Sequence, residues 1–218
     1  MAISPTELTT SLTDVALALE CVIVILALCV AVPRVAGRTA LWCGIFGLMM
    51  LSSVLGALAH GLPLSPASRN LLWMPLYLTL GVMMALVAVA AWFDWSGPAA
   101  LRWSPFSVMA GVVFYGLTEV FRGDFIVFVL YEGAVMVGAL VLYLLMAVRG
   151  HRRGAGWVTL GIALNLGAAA AQASPVAVTL IVPFDNNGVF HLLQLVATAV
   201  LGWGVGRGMQ ADAMRAER

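Results

Sequence analysis

The segment Phe125–Val148 reads FIVFVLYEGAVMVGALVLYLLMAV, and its only charged residue is Glu132. An α-helix needs about 20 predominantly apolar residues to cross the hydrocarbon core of a bilayer, so this segment predicts a transmembrane helix. The whole chain is 62% hydrophobic and 10% charged. That composition lies outside the range of soluble domains and is typical of integral membrane proteins.

Six further apolar segments qualify as spans or come close. The seven predicted spans are Val15–Val32, Ala40–Leu62, Leu71–Phe93, Pro105–Phe121, Phe125–Val148, Gly156–Ala173 and Val189–Val205. Residues Ser11 and Asp14 have the spacing of a capping box and are predicted to open the first helix. The sequence therefore predicts an all-α membrane protein with seven transmembrane helices, folded as a single domain over residues 1–218.

The arginines predict the orientation of these spans. One side of the predicted membrane carries Arg34, Arg38, Arg102, Arg149, Arg152, Arg153, Arg207, Arg215 and Arg218, and the other side carries Arg69 and Arg122. Loops rich in arginine face the cytoplasm, so the N-terminus is predicted outside and the C-terminus inside. All basic residues are arginine, which is typical of bacterial genes of high GC content and predicts the bacterial inner membrane.

Polar side chains in the spans or directly beside them share one depth, near the predicted outer ends. These residues are Glu20, His60, Asn70, Glu119, Glu132, Gln172, Asn187, His191 and Gln194. A carboxylate in the hydrocarbon region costs at least ~2.5 kcal/mol on insertion scales, so Glu20 and Glu132 are expected to face the interior of the bundle. The shared depth predicts a polar pocket open to the outer side.

Several of these residues also have a purely structural interpretation. Glu119 and Arg122 are spaced for an ion pair within one helix. Glu132 could be a neutral acid that hydrogen-bonds a neighbouring group. Asn165 and Gln172 share a helical face and could tie two helices together.

The segment 186–194 reads NNGVFHLLQ and gives the sharpest motif in the chain. With seven spans, His60 at the outer end of span two and a polar residue four positions before His191, the chain resembles the CREST superfamily. That superfamily includes the alkaline ceramidases and the progestin and adipoQ receptors. The chain resembles more closely an uncharacterised bacterial branch with a similar ending. The resemblance implies a hydrolase of a lipid amide or ester that uses zinc.

In the amidase-like members, zinc is held by one histidine late in span two and by an H-x-x-x-H pair in span seven. His60 and His191 match two of those ligands, whereas Asn187 stands where the third belongs. Gly56 replaces a serine one turn before the first histidine, and Asn70 is the nearest polar residue to an expected aspartate in span three.

A catalytic zinc needs three protein ligands and one open position. Asp185, Glu20 or Glu132 could complete the set with the two histidines, and Asp185 is the nearest in sequence to His191. The metal site suggested by the sequence is therefore His60, His191 and Asp185. Haem ligation by the two histidines has no supporting motif.

Two functions of different classes follow. One is a metal-dependent membrane hydrolase, and the other is a non-catalytic relative that binds a lipid or small ligand or acts as a partner subunit in the membrane. A transporter is a third, weaker alternative. Membrane lipids are the expected partners, and a net charge of +1 gives no indication of nucleic-acid binding. The segment Pro175–Pro183 is predicted to be either a lid over the pocket or an extended linker.

Overall fold

The computed structural model describes residues 3–30, 36–121 and 125–216. Over these ranges the chain forms seven α-helices, one short 3₁₀ helix at Pro98–Trp103 and one small hairpin. The helices are α1 (Pro5–Val30), α2 (Ala36–Gly61), α3 (Pro66–Ser96), α4 (Ser104–Val120), α5 (Phe125–Val148), α6 (Ala155–Gln172) and α7 (Asn186–Ala216). The hairpin strands are β1 (Val178–Thr179) and β2 (Pro183–Phe184).

Five of the described helices, α1, α2, α3, α5 and α7, are long and apolar enough to cross a membrane. The remaining two, α4 and α6, are shorter, with 17 and 18 residues. The prediction of a helical protein with the character of an integral membrane protein is confirmed, and the number of spans and their orientation stay predictions.

The first helix begins earlier than the hydrophobic pattern suggested. It starts at Pro5 rather than near Val15, and the Ser4 hydroxyl accepts a hydrogen bond from the Glu7 backbone N–H at 3.1 Å. The capping box predicted at Ser11 and Asp14 is therefore wrong, because both residues lie well inside α1. Apolarity delimits the part of a helix that crosses hydrocarbon, whereas the helix itself continues through polar residues.

Six of the helices form a closed ring. Each of α1, α2, α3, α5, α6 and α7 packs on the next, and α7 packs back on α1. Helix α4 lies outside the ring and packs mainly on α3. The two helices touch at Gly81 and Gly111, where a Cβ built on Gly111 would lie 2.7 Å from the Gly81 carbonyl oxygen.

The middle of the ring is filled by large apolar side chains. Trp42, Phe46 and Met146 are each no more than 1% exposed and belong to one continuous core cluster. We call the end at which α1 begins and α2 ends the His60 end of the bundle, and the opposite end the Arg38 end.

A buried ionic cluster closes the Arg38 end; its members are Arg38, Asp94, Tyr143, Arg152 and Asp212. The Arg38 guanidinium contacts both Asp94 oxygens, with Nε at 2.6 Å from Oδ1 and an N–H donating to Oδ2 at 2.8 Å. The Tyr143 hydroxyl donates to the same Oδ2 at 2.8 Å. Arg152 bridges Asp94 and Asp212. The cluster joins α2, α3, α5 and α7, and it includes Arg38 and Arg152, which the sequence analysis used only as markers of the cytoplasmic side.

The segment predicted as a lid or a linker, Pro175–Pro183, contains all of the hairpin except its last residue, Phe184. Val178 pairs with Phe184, and Thr179 with Pro183. The Thr9 hydroxyl of α1 donates to the Pro183 carbonyl at 2.8 Å, so the hairpin is attached to the first helix. Its turn residue Ile181 is 99% exposed.

Candidate functional site

A cavity of ≈ 370 Å³ lies inside the His60 end of the bundle. Every helix except α4 contributes to its lining. The polar lining residues are Asp14, Ser52, Ser53, His60, Glu132, Gln172, Asn186, Asn187, His191 and Gln194. The remaining lining consists of Leu17, Met49, Gly56, Trp73, Leu76, Tyr77, Leu80, Met83 and Phe190. Polar groups that converge in an otherwise apolar pocket of this size are typical of small-molecule sites.

The central polar contact of the cavity joins α1 to α7. His191 is 8% exposed, and its Nδ1 lies 3.1 Å from the Thr13 hydroxyl oxygen. Its Nε2 lies 3.5 Å from Asp14 Oδ1. Asp14 is 3% exposed, and its other oxygen, Oδ2, is buried with no hydrogen-bond partner among the described residues.

Gly56 makes room for the Asp14 carboxylate. A Cβ built on Gly56 would lie 2.8 Å from Asp14 Oδ2 and 3.0 Å from Oδ1. Real Cβ atoms do not approach other atoms this closely, so any side chain at position 56 would displace the carboxylate. The carboxylate therefore occupies the space that a side chain at position 56 would fill.

The second histidine, His60, is also paired with an acidic residue of α1. Its Nδ1 lies 2.8 Å from Glu7 Oε2, and the other Glu7 oxygen lies 4.0 Å from Arg69. The His60 ring stands edge-on to Trp73, with ring centroids 5.7 Å apart. One end of α1 thus supplies a carboxylate to each histidine of the cavity.

Amide side chains tie the end of α6 to the start of α7. The side-chain amide of Gln172 donates to Asn187 Oδ1 at 3.1 Å. The side-chain amide of Asn186 donates to the backbone carbonyl of Gln172 at 2.6 Å. Asp185 precedes α7 and accepts a hydrogen bond from the Gly188 backbone N–H at 2.9 Å. A carboxylate at this position is a normal N-terminal cap for a helix.

Comparison with known proteins places the chain in a family. A family model described as a family of unknown function, DUF6962, matches residues 9–210. The chain belongs to this family. No curated protein matches the chain, and neither does any solved structure. The matched residues include every residue that lines the cavity.

The structure brings together only part of the residue set suggested by the sequence. Those that line the cavity are His60, Glu132, Gln172, Asn187, His191 and Gln194. Glu20, Asn70, Glu119 and Asp185 do not line it. Glu119 is exposed on α4, outside the ring, and Asn70 is exposed near the start of α3. Similar depth in the membrane was the basis of the prediction, and depth alone does not determine which face of a helix a residue occupies.

The purely structural interpretations of the polar residues also hold only in part. Gln172 does link two helices, whereas Asn165 donates to the Gly161 carbonyl of its own helix at 3.1 Å. The predicted partner of Glu119, Arg122, lies outside the described residues. The hairpin contributes no residue to the lining of the cavity.

The donor set of the cavity does not fit a catalytic zinc. Among the described residues, no three His, Cys, Asp or Glu side chains group closely enough to hold a metal ion. The Nδ1 of His191 is already engaged by the Thr13 hydroxyl. Asn187 is engaged by Gln172, and Asp185 caps α7.

Sequence reasoning missed the contribution of α1. Glu7, Thr13 and Asp14 contact the two histidines, yet all three precede the predicted first span. Glu7 and Asp14 are seven residues apart, a spacing that places both on one helical face. That spacing could have revealed the pair if the helix had been extended beyond its apolar segment.

Proposed function

We propose that this chain is a seven-span protein of the bacterial inner membrane whose outward-facing cavity binds a small amphipathic molecule. The observation that carries the proposal is the cavity of ≈ 370 Å³, in which buried polar side chains meet aromatic and aliphatic walls. Ligand sites in proteins have volumes of about 300–1,000 Å³, so this cavity suits a small molecule or the headgroup of a lipid. This is the non-catalytic member of the two functions that the sequence suggested.

The arginine distribution supports the outward orientation. Arg38 and Arg152 belong to the end opposite the cavity. Arg149 directly follows α5 at that end, and Arg207 lies towards the same end of α7. The described residues of the His60 end include one arginine, Arg69. Because arginine-rich ends face the cytoplasm, the cavity faces outward in the proposal.

Binding can be measured in detergent with three amphiphiles of equal chain length: hexylamine, hexanol and hexanoate. A ligand that binds the native state raises the unfolding temperature. At least one of the three should raise it for the wild type. Leu80→Trp places a large ring at a cavity-lining position and should abolish the shift, whereas Leu78→Trp, on the same helix but outside the lining, should retain it.

Two results would overturn the proposal. One is that none of the three amphiphiles stabilises the wild type. The other is that both tryptophan variants respond as the wild type does, since the stabilisation would then arise from binding elsewhere.

A lipid amide or ester hydrolase of the CREST type is the second candidate. One observation favours it: the Asp14 carboxylate and the His191 imidazole lie 3.5 Å apart on the cavity, and a positioned carboxylate or imidazole can act as a general base. Hydrolysis of a fluorescent short-chain ceramide, lost in both His191→Gln and His60→Ala, would favour the hydrolase over simple binding. Stoichiometric zinc in the purified protein would add that a metal takes part.

A further inference from the structure

We infer that the ligand of the cavity carries a protonated amine, which binds at the Asp14 carboxylate. This inference rests on the proposed ligand-binding function and names the chemical class of the ligand. It follows from the hydrogen bonds at Asp14 and from the charges and aromatic residues of the cavity lining.

Asp14 has an acceptor without a donor. The residue is 3% exposed, and its Oδ2 has no hydrogen-bond partner among the described residues. Buried polar atoms in folded proteins are nearly always hydrogen-bonded, and the exceptions often mark a functional group. Because Asp14 lines the cavity, a donor on a ligand could reach this oxygen.

The neighbouring imidazole presents a second acceptor. The Thr13 hydroxyl donates to the Thr10 carbonyl at 2.8 Å, so its oxygen accepts the hydrogen bond from His191 Nδ1. In a neutral imidazole with the proton on Nδ1, the other nitrogen is an acceptor. Nε2 and Asp14 Oδ1 then face each other at 3.5 Å as two acceptors. An ammonium group has three donors and no acceptor, which matches this arrangement.

Among its described lining residues, the cavity has carboxylates but neither arginine nor lysine. Its lining includes two carboxylates, Asp14 and Glu132, and none of the described lining residues is an arginine. The chain has no lysine. At the same end, Arg69 lies beside Glu7, outside the cavity lining. A carboxylate at membrane depth requires a partner, and a cationic ligand would supply one.

Aromatic rings form part of the wall of the same cavity. Trp73, Tyr77 and Phe190 line the cavity, and the rings of Trp73 and Tyr77 lie 6.0 Å apart. Cations bind favourably over the faces of aromatic rings, and more strongly where water is excluded. The combination of an acidic site with aromatic walls therefore favours an organic cation over a neutral or anionic amphiphile.

The test compares the affinities of hexylamine, hexanol and hexanoate, measured from the concentration dependence of the unfolding temperature at pH 7. A primary alkylamine, like the lysine side chain, is protonated at this pH. We expect hexylamine to bind the wild type at least about tenfold more tightly than hexanol. Hexanol cannot form the charge-assisted hydrogen bond to Asp14, and a tenfold difference in affinity corresponds to ~1.4 kcal/mol. Asp14→Asn, which preserves the shape of the side chain, should remove this preference. Glu20→Gln, in the same helix but outside the cavity lining, should retain it.

The outcomes separate this inference from the proposed function. If hexanol or hexanoate binds the wild type as tightly as hexylamine, the amine inference is overturned and ligand binding stands. If no amphiphile binds, both fail. The ratio of hexylamine to hexanol affinity in the wild type decides the matter even if Asp14→Asn does not fold. An Asp14→Asn protein that folds and keeps the tenfold preference for hexylamine also overturns the inference.

A protonated amine could belong to a free molecule or to the headgroup of an aminophospholipid. Nanodiscs made with phosphatidylethanolamine or with phosphatidylglycerol distinguish the two sources. If hexylamine binds more weakly in phosphatidylethanolamine than in phosphatidylglycerol nanodiscs, the lipid amine competes for the site. That result supports the inference with a lipid headgroup as ligand. Equal hexylamine binding in the two nanodiscs, with the preference over hexanol retained, supports it with a free amine.

Discussion

At the scale of single residues, Gly56 controls the shape of the cavity. The Asp14 carboxylate lies where a side chain at position 56 would stand, so the absence of a Cβ is needed for the acid to reach His191. The histidines could be identified from the sequence because imidazoles are rare inside apolar spans. The role of the glycine could not, since it depends on a residue of another helix, and a glycine pattern in α2 does not reveal a neighbour 42 positions earlier (56 − 14).

Gly56→Ala tests this packing. The new methyl group would approach Asp14 Oδ2 at 2.8 Å, and overpacking of this kind typically costs about 1–3 kcal/mol. We expect a lower unfolding temperature in detergent and a loss of ligand binding. Gly47→Ala is the control on the same helix, because nothing lies within 4 Å of a Cβ at that position. A Gly56→Ala protein as stable as Gly47→Ala would contradict the arrangement of α1 against α2.

At the scale of helices, α4 differs from the other six. It packs mainly on α3, and residues along it are widely exposed, including Phe106 at 68% and Val120 at 75%. The hydrophobic pattern correctly predicted that this helix exists. It could not predict that the helix lies outside the ring, because lipid-facing and protein-facing surfaces are equally apolar in a membrane. This is why Glu119 was assigned to the pocket and lies elsewhere.

The packing of α1 on α2 has a chemical test. Cys29 and Cys43 have their Sγ atoms 3.5 Å apart, so a small side-chain rotation would reach the ~2.05 Å of a disulfide. Mild oxidation with copper phenanthroline should form an intrachain disulfide. Intact-mass analysis after maleimide alkylation of the denatured protein should then show two fewer labelled thiols. Cys21→Ser should not prevent the reaction, whereas Cys29→Ser should; a disulfide that persists in Cys29→Ser would mean that the helices pack differently.

At the scale of the whole molecule, the two ends of the bundle are polar for different reasons. The sequence predicted the membrane character correctly, since that character follows from composition. It treated Arg38 and Arg152 as markers of orientation, whereas both belong to the ionic cluster with Asp94. Pairs between residues 56 positions apart (94 − 38) depend on the packing of helices and leave no local pattern in the sequence.

The ionic cluster is expected to dominate stability at the Arg38 end. Asp94→Asn would leave the Arg38 guanidinium, which is 1% exposed, without its bidentate partner. Removing one member of a buried ion pair typically costs about 3–5 kcal/mol, so a large fall in unfolding temperature is expected. Asp212→Asn is the comparison: its side chain is 24% exposed, and partly exposed pairs contribute about 0–1 kcal/mol. Equal losses in the two variants would show that Asp94 has no special role.

The way the ring is filled restricts how the cavity can be used. Its lining reaches inward as far as Met49 and Met83, and beyond them Trp42 and Phe46 are almost completely buried. Past these rings, the described residues end in the ionic cluster. Among the described residues, the lining of the cavity does not continue past these rings towards the Arg38 end. If the cavity binds a ligand as proposed, a molecule that enters at the His60 end would also have to leave at that end.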